Sequence, residues 1–340
     1  MKRPYIIAGP CSAESEAGVL ECAKAVSQRG AQAFRAGLWK PRSRPGSFEG
    51  VGAEGLGWLV EARSLSGLPV CTEVACTAHV EACLKEGIDM LWIGARTTSS
   101  PFVVQEIADA LRGVDIPVLV KNPLGADFGL WVGAFERLSG AGLRDLRAVH
   151  RGVSTSRDSR FRNDPAWDMA VRFRTTMGDV PIICDPSHIA GTAALVPEIA
   201  QRAMDLGFDG LMVEVHPSPS EALSDAAQQL CPDEFKAMLD GLRFRESGSA
   251  DEDVLRRLAE LRSGIEEADD AILEALRRRM SLSREIGELK RAEGISIVQP
   301  GRWAEVRERI LRLSGDKGLD TDTVAAIFDL IHSASVSSQK

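Results

Sequence analysis

The sequence predicts an α/β protein in two parts, a (β/α)8 barrel followed by a small all-helical domain. Three observations carry this reading. Short apolar runs alternate with helical segments from residue 5 to about 242, the texture turns polar near residue 243, and an apolar pattern of helical period then runs without proline from about 251 to 292. At 340 residues the chain exceeds one ordinary core, so one or two domains are expected. The boundaries read 1–242 for the barrel, 243–253 for a linker and 254–340 for the helices.

The apolar runs lie at 5–8, 31–35, 69–73, 89–93, 117–120, 146–150, 181–184 and 210–215. Helical segments at 16–28, 51–65, 78–86, 101–111, 130–138, 165–174, 192–206 and 232–242 follow them in turn. Eight such units indicate a closed parallel barrel. An open doubly wound sheet is the alternative, but no GxGxxG fingerprint follows a strand. The linker, RFRESGSADED at 243–253, is polar and ends in acids suited to a helix N-terminus. Beyond it Leu255, Leu258, Leu261, Ile265, Ala268, Ile272, Leu276, Ile286 and Leu289 mark one long helix. A helix of that length wants a partner helix. Shorter helices are expected at about 302–313 and 321–338.

Composition narrows the function. The chain is 44% hydrophobic and 26% charged, as soluble globular proteins are. No apolar run reaches membrane-spanning length and the first residues lack a signal-peptide core, so a cytoplasmic protein is expected. A net charge of -8 argues against nucleic acid or an anionic membrane as a partner. Seven cysteines, at 11, 22, 71, 76, 83, 184 and 231, form neither zinc-finger spacing nor a disulfide framework, and most are expected to be buried thiols.

Barrel enzymes work at the C-terminal ends of their strands. The polar residues there are Cys11, Arg35 with Lys40, Glu73, Arg96, Lys121, His150 with Arg151, Asp185 with His188, and Glu214 with His216. The loop FRAGLWKPRSRPGSFEG, residues 34–50, adds Arg42 and Arg44, stiffened by Pro41 and Pro45. Such a run is often plain solvated surface, but it also suits a phosphorylated anion. Five cations on one mouth, Arg35, Lys40, Arg96, Lys121 and Arg151, would repel one another unless an anion lay between them. Cys11, His188, Glu214 and Asp225 could form a mixed S/N/O site for a divalent metal, although each taken singly also has a structural reading.

Seven strings resemble 3-deoxy-D-arabino-heptulosonate 7-phosphate (DAHP) synthases of the short type I beta group. They are GPCS at 9–12, FRAGLWKPRS at 34–43, IGAR at 93–96, VKNP at 120–123, HRGVS at 150–154, CDPSHIAG at 184–191 and LMVEVHPSPSEALSDAAQQL at 211–230. The resemblance implies a barrel that condenses phosphoenolpyruvate (PEP) with D-erythrose 4-phosphate at the head of the shikimate pathway. It implies one divalent metal ion (manganese, iron, cobalt or zinc) on Cys11, His188, Glu214 and Asp225. Arg35, Lys40 and Lys121 would face the PEP carboxylate, Arg96 and Arg151 its phosphate, and Arg42 and Ser43 the erythrose phosphate. Many relatives have threonine at the place of Ser43, whose hydroxyl still donates to phosphate. Glu73 would orient the attacking water, and Lys40 would supply a proton. Barrels that build an octulosonate from arabinose 5-phosphate are the nearest rival, but they typically read KANRS where this chain reads KPRS from Lys40. Type I beta relatives often carry an N-terminal regulatory domain, whereas here the first strand begins at once.

A second resemblance, over residues 255–340, is to the all-helical chorismate mutases. It rests on LRSGIEEADDAILEALRRRMSLSREIGELK at 261–290, IVQPGRW at 297–303 and IHSASVSSQ at 331–339. Helix geometry agrees. Arg279 and Lys290 lie about 20° apart around a helix and roughly 16 Å apart along it, so both can reach one ligand. Arg262 lies about 25 Å before Arg279 and is turned by about 100°, so it cannot serve that site in the same subunit. In the family the equivalent arginine crosses to the partner's site in a homodimer. By resemblance Arg262 and Arg279 hold the chorismate carboxylates, Lys290 and Gln339 the ether oxygen, with Arg302 and Ser335 in support. Gln299 and Trp303 depart from the acid and the glutamate of some relatives, which leaves a catalytically weak, regulatory or dimerising domain as the alternative. With no separate regulatory domain, chorismate or prephenate bound to the helices is the expected feedback ligand.

Overall fold

The computed structural model describes residues 3–40, 46–155, 159–244, 251–297 and 300–339. Arg42, Ser43 and Gln299 therefore lie outside the described residues. The chain divides into two compact units, Met1–Ser247 and Gly248–Lys340.

The first unit is a closed barrel of eight parallel strands in chain order: β1 Tyr5–Gly9, β2 Ala33–Arg35, β3 Val70–Val74, β4 Met90–Ile93, β5 Val118–Lys121, β6 Leu146–His150, β7 Ile182–Cys184 and β8 Gly210–Glu214. Almost every strand residue is buried, which is why these segments read as continuous apolar runs rather than alternating ones. β1 closes the barrel by pairing with β2 (Ile7 opposite Ala33) and with β8 (Gly9 opposite Glu214). Residues facing the axis, among them Ile7, Cys71, Met90, Trp92, Leu119, Val149 and Met212, fill the interior. Residues facing outward join the surrounding helices in a larger second core.

Those helices are α1 Glu16–Ser27, α2 Gly55–Ser66, α3 Thr77–Lys85, α4 Ala95–Thr98, α5 Pro101–Ala110, α6 Phe128–Gly140, α7 Trp167–Met177, α8 Pro186–Ala190, α9 Val196–Asp205 and α10 Pro232–Gly241. Helix α4 and helix α8 were not anticipated, because four or five residues are too few to show a period. Helix α8 starts where Asp185 caps it, its Oδ1 accepting from His188 N at 3.0 Å, with Pro186 at the first helical position. Two glycines hold the mouth open. Gly9 has φ +151°, and a side chain there would overlap the Arg35 carbonyl; one at Gly94 would overlap the Glu73 carboxylate. The cysteines are free, and five of the seven are buried.

The second unit consists of α11 Glu252–Ala292, α12 Pro300–Asp316 and α13 Thr321–Ser338. Helix α11 is 41 residues long, yet only Ser283 and Gly287 are buried along it. Leu261, Ile265, Ile272, Leu273 and Leu289 stay more than half exposed. No helix among the described residues is long and apolar enough to cross a membrane.

Candidate active sites

The mouth of the barrel holds a cavity of about 400 Å3, lined by Lys40, Glu73, Arg96, Lys121, Arg151, Arg162, Asn163, His188 and Asp225 among others. A cleft of that size suits small polar molecules. Of the cations expected there, Lys40, Arg96, Lys121 and Arg151 line it. Arg35 lies beneath, 1% exposed, with Nη2 3.2 Å from Glu214 Oε1 and from the Cys11 carbonyl. The mutual repulsion expected of the five is relieved by carboxylates already in place. Lys121 Nζ donates to Asp185 Oδ2 at 2.7 Å, and Arg35 faces Glu214. Burial alone would raise both acids, but His188, Lys121 and Arg35 hold Asp185 well below the usual carboxylate range, and His188 and Arg35 lower Glu214.

At one side of this cavity Cys11, Glu214 and Asp225 bring Sγ and one oxygen each within 4.8 Å of one another. Asp225 Oδ2 lies 3.3 Å from Cys11 Sγ. His188 Nε2 is 3.8 Å from both Glu214 Oε1 and Asp225 Oδ2. Donors bound to one ion at about 2.0–2.3 Å stand roughly 3.3–3.8 Å apart in a tetrahedron, which the Cys11–Asp225, His188–Glu214 and His188–Asp225 distances match, whereas His188 is not in the group whose donors all lie within 4.8 Å of one another. Glu214 Oε1 is fully buried and has no aligned hydrogen-bond partner among the described residues. Its nearest charged neighbour is Arg35 Nη2 at 3.2 Å, and a thiol, an imidazole and two carboxylates together form a donor set that could hold a divalent cation.

The electrostatics fit as well. Burial, reinforced by Glu214, pushes the Cys11 thiol up to about 12. Lys40 Nζ donates to Cys11 Sγ at 2.9 Å; burial works against its charge, but Cys11 and Glu214 outweigh it and raise Lys40 above its ordinary value. Burial lowers His188, against the opposing charges of Asp185 and Glu214. Asp185 Oδ2 lies 2.8 Å from His188 Nδ1, close though poorly aligned for a hydrogen bond, and sets the face the ring presents. Burial takes Arg151 down to about 10, still cationic at neutral pH.

Several residues of the site carried no assignment in the sequence reading. Asn163 Oδ1 accepts from Arg151 Nη1 at 3.1 Å while its Nδ2 donates to the His188 carbonyl at 2.7 Å. Asn122 Oδ1 accepts from Arg151 N at 2.7 Å. Gln229 Oε1 accepts from Cys11 N at 3.0 Å, and Gln228 Nε2 donates to Glu214 Oε2 at 2.6 Å. Amides show no charge or spacing signal in a single sequence. Arg162, in the stretch between β6 and α7, likewise carried no assignment, yet it lines the cavity. Glu73 accepts from Trp92 Nε1 at 3.0 Å, which fixes its carboxylate at the rim.

A family model described as the DAHP synthetase I family matches residues 2–243. The chain belongs to that family. Phospho-2-dehydro-3-deoxyheptonate aldolase of Thermotoga maritima is 32% identical over 239 residues, covering 70% of this chain and 68% of that protein. The crystal structure of the Thermotoga maritima DAHP synthase superposes with a TM-score of 0.62 at 31% identity, over 69% of this chain and 67% of that one. A 2-dehydro-3-deoxyphosphooctonate aldolase of Legionella pneumophila is also similar, at 28% identity over 70% of this chain and 90% of its own length. The chorismate mutase type II family matches residues 261–340 of this DAHP synthetase I chain. The two segments make it a bifunctional shikimate-pathway enzyme with DAHP synthase and chorismate mutase activities.

In the helical unit Arg279 Nη1 donates to Ser335 Oγ and, at 3.3 Å, to the Ile331 carbonyl. Lys290 Nζ donates to the Ile297 carbonyl at 2.7 Å. Ser283 and Gly287 lie on the same face of α11 as Arg279, and Gln339 packs directly over Gly287, where a Cβ would come within 2.8 Å of its Cα. Gln339 Oε1 is buried with no partner among the described residues. Arg279, Lys290, Ser335 and Gln339 thus lie along one seam between α11 and α13. Arg262 is exposed, and Arg302 is exposed and paired with Glu305 at 2.9 Å. Trp303 stacks on His332, ring centroids 3.8 Å apart.

Proposed function

We propose that the barrel carries out a metal-dependent condensation of PEP with D-erythrose 4-phosphate, and that Cys11, His188, Glu214 and Asp225 hold the metal. The convergence of the buried Glu214 Oε1, which makes no aligned hydrogen bond, with Cys11 Sγ, Asp225 Oδ2 and His188 Nε2 is the observation that supports this most strongly. A divalent ion bound there supplies Lewis acidity to the aldehyde oxygen. The protein's own groups account for the rest. Arg96 and Arg151 take the PEP phosphate, Arg35 and Lys121 its carboxylate, and Arg42 with Ser43 the erythrose phosphate. C3 of PEP adds to the aldehyde carbon, and the aldehyde oxygen takes a proton from Lys40. Water held by Glu73 adds to C2 and yields a proton to that carboxylate, and phosphate leaves. Charge grows and moves only among fixed cations in a confined cavity, where preorganised groups stabilise it most.

Phosphate release from PEP should therefore occur with erythrose 4-phosphate, stop on chelation and return with added divalent metal. Release that ignores the chelator would remove the metal from the reading. Turnover with arabinose 5-phosphate instead would move the chain to the octulosonate branch.

For the helices, Arg279 and Lys290 on α11 with Ser335 and Gln339 on α13 form the chorismate site. The exposed apolar stripe of α11 supports a homodimer, in which Arg262 of one protomer enters its partner's site. Ligand bound there regulates the barrel: prephenate or chorismate should lower the rate of phosphate release, and an unchanged rate at saturating prephenate would rule this feedback out.

A further inference from the structure

The proposed metal site has four donor side chains, but two of them are carboxylates with two oxygens each, and something must decide which oxygen turns inward. One guanidinium, that of Arg162, is placed to decide both. Arg162 Nη1 donates to Asp225 Oδ1 at 3.1 Å, which leaves Asp225 Oδ2 facing Cys11 Sγ and His188 Nε2. The same Nη1 donates to Gln228 Oε1 at 2.6 Å, and Gln228 Nε2 donates to Glu214 Oε2 at 2.6 Å. That leaves Glu214 Oε1 inward, 3.8 Å from His188 Nε2 and with Arg35 Nη2 3.2 Å away on its other side. An arginine has no acceptor and a carboxylate no donor, so only one of the two amide orientations of Gln228 satisfies both neighbours. Gln228 is 1% exposed and Glu214 not exposed at all, so water cannot substitute for the bond.

We infer that Gln228 is a positioning residue for Glu214, its amide held in one orientation by Arg162 so that Oε2 is occupied and Oε1 is left for the cation. The inference rests on the metal site proposed above. Its physical basis is that a ligand carboxylate bonded on its outer oxygen loses less freedom when it binds, and that such supporting bonds typically change metal affinity by about 10- to 100-fold.

Full-length chain, stripped of metal by chelator and titrated with Co2+, tests it by visible and near-ultraviolet absorption. Gln228→Met keeps the side-chain length but removes both amide contacts. It should keep the thiolate-to-cobalt band, since Cys11 is untouched, while binding Co2+ about 10- to 100-fold more weakly, with an altered ligand-field spectrum and an unchanged KM for PEP. Arg162, 46% exposed at its side chain, tolerates replacement without threatening the core. Arg162→Met should weaken Co2+ in the same direction, and the double variant should lose less than the product of the two single losses because the groups act in series. Wild-type affinity and spectrum in Gln228→Met would overturn the inference, and strictly multiplicative losses would overturn the role of Arg162 in it. A wild-type chain with no thiolate-to-cobalt band, or Cys11→Ala with the band intact, would instead sink the metal site itself.

Discussion

Cys11→Ala is expected to lower phosphate release by at least about a thousandfold while chorismate turnover by the same preparation persists. The magnitude follows from the several kcal/mol that Lewis-acid stabilisation of an oxyanion supplies, each 1.4 kcal/mol being about tenfold in rate. The thiol has no other evident task. It is fully buried, its side chain contacts Lys40 and Asp225, and alanine in its place would leave a small void while Lys40 keeps its bond to the backbone carbonyl of residue 11. Assaying both reactions on one sample separates the loss of a donor atom from general unfolding, because an unfolded chain would lose both. Chelator-sensitive synthase turnover retained in Cys11→Ala would end the ligand role.

Arg279→Ala is expected to abolish the mutase by a comparable factor, and so is Arg262→Ala. The two inactive chains, refolded together, should recover about a quarter of the wild-type sites. The arithmetic comes from geometry. If Arg262 crosses to its partner, half of the randomly assembled dimers are mixed, and each mixed dimer has one site with both arginines intact and one with neither. Arg279 is tied to Ser335 and the Ile331 carbonyl on α13, whereas Arg262 is exposed on the same α11, several turns away. No recovery on mixing would place both arginines in one subunit's service or remove Arg262 from the site.

The barrel was legible because its strands are buried on both faces, and a chain with that burden spells them as unbroken apolar runs between helices. Residues 146–150 match the observed strand to the residue, while the second strand starts two residues later than expected, at Ala33 rather than Ala31, and ends at Arg35 as expected. The charged members of the site were legible for a related reason, since Arg35, Lys121, Asp185 and Glu214 interrupt apolar text where a strand ends. The supporting groups were not. Gln228 and Gln229 stood inside a motif and conveyed nothing, because an amide declares its use only through its partners. Arg162 and Asn163 belong to a stretch without periodicity, and what fixes them is contact with Asp225, 63 positions on from Arg162, and with His188, 25 positions on from Asn163. In the helices, Arg279 and Lys290 were named by resemblance, with their spacing setting both on one face of a helix, but the approach of Gln339 over Gly287 depends on how α13 returns against α11.

The seam where β1 meets β8 also fixes when this enzyme can first exist. Cys11 follows the first strand of the barrel, and its neighbours Glu214 and Asp225 come from the final strand and the turn after it. A nascent chain displays the thiol long before anything can be placed beside it. The candidate centre is therefore complete only once the last strand has paired with the first, a contact between residues 214 positions apart in the chain and of the non-local kind that is slow to form.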